Sequence, residues 1–179
     1  MKYLISAIIL IFINLNLALG QINDHFVVFC SKESSYNTLG HAFIMTGKGD
    51  PFTCSIDNGD GQAFGLYAAD SDLKGICKPR GFNAAMSYFV GSLRGCLFND
   101  ISTNVSNYFV VRCSLLEYLK VLRIINEWKD SQYELKSRDC LSFVISVANL
   151  FSDRIVIPSR SNLENFPNVF ISQLKKYNQ

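Results

Sequence analysis

The sequence predicts an α+β fold. Three observations point to it. Short apolar runs of strand length crowd the first part of the chain, a capping signature opens a long amphipathic helix after Cys113, and the stretch from Cys140 to Phe151 is apolar on most sides. Strands therefore come first, then an irregular region, one more strand, and finally helices.

Taken in chain order, Lys2 and the apolar run from Tyr3 to Ala18 read as the charged and hydrophobic parts of a secretory signal peptide. Ala18-Leu19-Gly20 gives the small-x-small cleavage pattern. Two asparagines interrupt the run, which is shorter than the roughly 20 residues of a membrane span, so no stable membrane anchor is expected after cleavage. Residues 21–179 then form one domain, long enough to bury a core, in a secreted or periplasmic location. The 17 basic and 15 acidic residues nearly balance, which gives no electrostatic case for binding nucleic acid.

Phe26 to Cys30 suits a buried strand, and Gly40 to Thr46 a second. Phe52 to Ile56 reads as a third, Asp57 to Gly61 as a turn, and Gln62 to Ala68 as another strand. Asp70 to Asn104, punctuated by glycines, reads as irregular; Tyr108 to Cys113 is a strand. Ser114 followed by Glu117 forms a capping box, after which Leu115, Leu119, Leu122, Ile125 and Trp128 recur at helical spacing. Asp139 or Arg138 opens a helix running to about Phe151, and Pro167 starts a last one carrying Phe170, Leu174 and Tyr177.

Six cysteines enter an oxidising compartment, which suggests disulfides. With no CxxC spacing and only His25 and His41 as histidines, a metal site is not expected, and no cofactor is implied. Cys140 differs from the others because it falls in the first turn of a buried helix. There the orphan amides and the helix dipole favour a thiolate and lower its pKa, and can face an oxyanion. His41, flanked by Gly40 and Ala42, has room for a partner, whereas His25 reads as a solvated group near the mature terminus.

The string Tyr133…Arg138-Asp139-Cys140-Leu141-Ser142-Phe143-Val144 resembles the nucleophile motif of NlpC-type papain-like cysteine peptidases and amidases. Gly40-His41-Ala42-Phe43 precedes it, and that order is similar to the circularly permuted branch, which includes lecithin retinol acyltransferase-like enzymes. Phe64-Gly65-Leu66-Tyr67 and the tail prolines Pro158 and Pro167 resemble features of exported bacterial proteins of this kind. The resemblance implies a papain-like fold, with an antiparallel sheet packed on a central helix bearing the cysteine. It implies Cys140 as nucleophile, His41 as general base and Tyr133 as a lining of the oxyanion site. For the residue that orients the imidazole it leaves Gln62, Tyr67 and Asp57 open. The function so implied is an exported thiol hydrolase that cleaves an amide bond in a peptide, with peptidoglycan as a candidate substrate. The alternative is a non-catalytic, disulfide-stabilised secreted binding module using all six cysteines. An enzyme needs Cys140 unbridged; Cys30 is then the second thiol, and two bridges among Cys54, Cys77, Cys96 and Cys113 are possible.

Overall fold

Strand β1 (His25–Lys32) is apolar along nearly its whole length because it is paired on both edges and covered on both faces. The computed structural model describes residues 23–33, 40–51, 61–68, 93–99, 105–160 and 166–179. The leader, the Phe52 to Ile56 strand, the Asp57 turn, Cys54 and Cys77 lie outside the described residues.

β2 (His41–Lys48), β3 (Gly61–Ala68), β4 (Leu93–Asn99) and β5 (Asn107–Cys113) join β1 in one sheet, closed at its far edge by the two-residue β6 (Gln132–Tyr133). The spatial order is β5-β1-β2-β3-β4-β6, and every neighbouring pair is antiparallel. β4 corrects the expectation of irregular chain from Asp70 to Asn104. Gly95, which reads as loop punctuation, is a strand residue at a close backbone approach: its N–H donates to the Ser131 carbonyl at 3.0 Å, where a Cβ would collide.

Side chains alternate across the strands. Val27, Phe29, Ala42, Ile44, Leu66 and Phe109 face the helices, while Phe26, Val28, Cys30, Phe43 and Ala63 form a second apolar cluster. Helix α1 (Leu115–Trp128) starts at Ser114, whose side chain accepts the Glu117 N–H while the Glu117 carboxylate accepts the Ser114 N–H at 2.7 Å. Its buried face holds Val121 and Ile125, with Leu122 and Trp128 packed against the core; the expected stripe is corrected at Leu115 and Leu119, which are exposed. Arg154, 2.8 Å from Glu117, helps set that rotation of the helix.

Helix α2 (Cys140–Ala148) is shorter than expected; Asn149–Phe151 tightens into a 3₁₀ turn. It packs on β2 and β3 and buries Cys140, Leu141, Phe143, Val144, Val147 and Ala148. Each large apolar side chain so removed from water stabilises the fold by roughly 1.5–3 kcal/mol. Helix α3 (Pro167–Asn178), starting at Pro167 as expected, lies on β5, β1 and β2 with Phe170 and Leu174 buried and Tyr177 exposed. Asn168 accepts from the Ser31 hydroxyl and the Asn107 amide, fastening α3 to two strands. At its other end the Asn178 side chain clips Val156, accepting its N–H at 2.7 Å and donating to its carbonyl at 2.8 Å. No helix among the described residues is long and apolar enough to cross a membrane.

His25 is not the solvated group expected. It is 8% exposed, opposite Lys48 and Cys113 in the sheet, with its ring 4.5 Å from that of Tyr118 in a tilted arrangement and 2.6 Å from Asp24. A first strand residue paired on both sides has little water left around it.

Candidate active site

The chain from β6 to α2 is a tight reversal in which Glu134 and Arg138 exchange backbone hydrogen bonds. Lys136 takes a left-handed conformation, φ 76°, at the bend, and its N–H donates to the Asp139 carboxylate at 2.8 Å. Asp139 is the N-cap of α2 and accepts the Ser142 N–H at 3.0 Å. Its carboxylate is 3% exposed, and an ion buried that far needs a counter-charge. Arg160 supplies it: one guanidinium nitrogen is 2.5 Å from Asp139 and another donates to the Ser142 hydroxyl at 2.6 Å. Hydrogen bonds and charge from Arg160, with the Ser142 and Lys136 amides, hold the Asp139 carboxyl below its ordinary 3.8 despite the opposing effect of burial.

Cys140 follows directly. Its sulfur is free, 7% exposed, and meets the backbone N–H groups of Ala42 and Leu141. Burial, the largest influence, and the adjacent Asp139 carboxylate push the thiol up to about 12, against the pull of the two amides and Arg160. The expectation of a lowered pKa is therefore corrected: desolvation outweighs the helix terminus, and Cys140 rests as a neutral thiol. Tyr133 is 4% exposed and close enough that a negative charge on Cys140 or Asp139 would disfavour its own ionisation. Burial acts in the same direction, so its hydroxyl stays protonated and remains a donor.

The Ala42 amide brings this corner to His41. Pairing between β2 and β3 runs from Gly47↔Gly61 to Ile44↔Phe64, leaving residues 41–43 as an open seam against the continuation of β3. His41 shares a sheet face with Phe43, Gly65 and Tyr67; its ring stacks on Tyr67 at 4.0 Å and on Phe43 at 6.0 Å, and it lies over Gly65. Cys140 belongs to the cluster of Ala42 and Leu66 on the other face. Cys140 and His41 thus lie on opposite faces of the sheet, separated by the backbone of Ala42, and the predicted pair is not in contact in this structure.

Tyr67 is the orienting candidate brought to His41. Gln62 is not: it is exposed opposite Thr46, five residues or roughly 16 Å further down β3. Asp57 lies outside the described residues. Sequence reasoning passed over Arg160 and gave no role to Gly65. A buried acidic N-cap was the available signal for the arginine, and the gap beside an aromatic residue the signal for the glycine.

The remaining described thiols limit the disulfide reading. Cys113 is free and fully buried, which corrects its place in a bridge, and Cys30 is a buried thiol whose sulfur lies 3.7 Å from the Val28 carbonyl oxygen. With Cys30, Cys113 and Cys140 unbridged, a three-bridge framework is not available to this chain. Among the described residues no cluster of metal-ligating side chains occurs.

Comparison with known protein families, curated proteins and solved structures returns no match for this chain.

Proposed function

We propose that this chain is an exported thiol hydrolase of the permuted NlpC-type, papain-like kind, acting on an amide bond of a peptide, with cell-wall peptide as the favoured substrate. The observation that carries the reading is the unbridged Cys140 thiol at the first turn of α2, met by the Ala42 and Leu141 amides, with His41 next to Ala42 in β2. In this reading His41 turns from the opposite sheet face to remove the thiol proton as sulfur attacks the carbonyl, and the tetrahedral oxyanion is met by backbone N–H groups at the α2 terminus and the Tyr133 hydroxyl. The C–N bond breaks as the amine leaves with the proton held by His41, giving a thioester on Cys140. Water, deprotonated by His41, then releases the acid and restores the thiol. A neutral resting thiol suits this sequence of steps, because it needs a base during attack and not a standing thiolate.

The test is to incubate the protein with muropeptides, quench in acid and map adducts by mass spectrometry. The expected result is a hydroxylamine-labile acyl group on the peptide bearing Cys140, absent from Cys140→Ser and diminished in His41→Ala. Amide cleavage that persists in Cys140→Ser, or acylation spread equally over Cys30 and Cys113, overturns the proposal.

A further inference from the structure

A cation that acts on the proposed nucleophile lies 20 residues downstream in the chain. Arg160 reaches back across the start of α2, with its side chain only 17% exposed, and divides its donors between Asp139 and the Ser142 hydroxyl. Both acceptors belong to the turn on which Cys140 sits, and Asp139 is its immediate neighbour. When Cys140 loses its proton, the new negative charge faces this fixed carboxylate inside a poorly solvated corner. Like charges at such range disfavour each other, and an opposite charge placed on the carboxylate relieves the effect. The other groups acting on the sulfur are the Tyr133 phenol from β6, the Ala42 amide from β2 and the Leu141 amide of α2 itself; none of them cancels Asp139.

We propose that Arg160 is the positioning residue of this site, its guanidinium neutralising Asp139 so that Cys140 can carry negative charge during attack. The inference rests on the reading of Cys140 as nucleophile and adds what regulates that thiol. The arginine acts through the turn, donating to the Ser142 hydroxyl and the Asp139 carboxylate. Asp139 then has two opposed roles, capping the helix that bears the nucleophile while opposing its ionisation, and Arg160 separates them.

The experiment is pulsed iodoacetamide alkylation of the folded protein at several alkaline pH values, read at Cys140 by mass spectrometry with Cys113 as internal reference. Arg160→Gln should slow Cys140 alkylation by about tenfold at each pH, a displacement of about one pH unit in the profile. Asp139→Asn, which keeps a good N-cap, should speed it by a similar factor, and the double variant should return close to the parent. Arg160→Lys should stay within about threefold of the parent, because the charge remains. A purely structural role for Arg160 gives the opposite sign, since loosening the turn exposes the sulfur and speeds labelling. Faster or unchanged labelling in Arg160→Gln overturns the inference. If that variant does not fold, slower or unchanged labelling in Asp139→Asn does so. Alkylation needs no substrate, so these outcomes are read independently of whether Cys140 is ever acylated.

Discussion

Replacing Gly65 by alanine tests the seam directly. An ideal Cβ at this position would lie 2.3 Å from His41 Nε2, 3.1 Å from its Cε1 and 3.2 Å from Tyr67 Cε2. An ordinary contact is about 3.5 Å, so the imidazole must retreat by about 1 Å. All three atoms belong to side chains, which can move without disturbing the sheet, and the stability cost should stay near 1 kcal/mol. Catalysis is less tolerant: displacing a reacting group by about 1 Å costs about a hundredfold, equivalent to about 2.7 kcal/mol of barrier. The assay is the rate of Cys140 acylation by an activated ester, followed beside urea unfolding. Gly65→Ala is expected to lose about a hundredfold in rate with little change in midpoint. Combined with His41→Ala, it should add almost nothing, because the group it displaces is already gone. An unchanged rate in Gly65→Ala, or a full additional loss in the double variant, refutes the placement of His41 as the working base.

Three further outcomes concern stability. Ser114→Ala removes one half of a reciprocal cap and should cost about 1 kcal/mol by thermal unfolding. Lys136→Gly relieves a left-handed backbone and should stabilise by up to about 1 kcal/mol in urea, because strain relief of about 1–2 kcal/mol exceeds the entropy glycine gains when unfolded. Burial, assisted by Glu117, pushes the Cys113 thiol up to about 12 from 9.0. The unfolded chain therefore releases this proton first. The contribution of this group is constant below about pH 9 and falls above it by about 1.4 kcal/mol per pH unit until the folded thiol also ionises. Cys140, likewise pushed up to about 12, adds a slope of the same sign, so Cys113→Ala should reduce the alkaline slope without abolishing it, and an identical slope in the variant would count against a buried thiol at this position.

Much of the architecture was legible because local signals agreed with one another. The Ser114–Glu117 box, the acidic cap before Cys140 and Pro167 each mark a helix start that backbone chemistry alone demands. What escaped was set by long-range contact. Gly95 is a glycine because the Ser131 backbone arrives beside it, a fact held by residues far along the chain. The helical stripe of α1 buries Ile125 but leaves Leu115 and Leu119 exposed, while Val121, outside the stripe, is buried; which face turns inward depends on tertiary contacts such as that of Glu117 with Arg154. The same limit applies to the site. Cys140, Asp139, His41 and Tyr67 carried recognisable local context, but nothing near Arg160 in sequence announces that it faces Asp139. The thiol's resting state was misread because a helix terminus is visible in a sequence, whereas depth of burial is not.

The clip that Asn178 places on Val156 has a reach beyond its own neighbourhood. Val156 stands four residues before Arg160, so the segment that delivers the guanidinium is moored to the final turn of α3. Final turns are where helices fray first. Each opening of that turn slackens the mooring, and the cation is held over Asp139 only as firmly as the last hydrogen bonds of a different helix allow. Hydrogen exchange at the Val156 amide would therefore act as a gauge of the charge environment at a cysteine on another element.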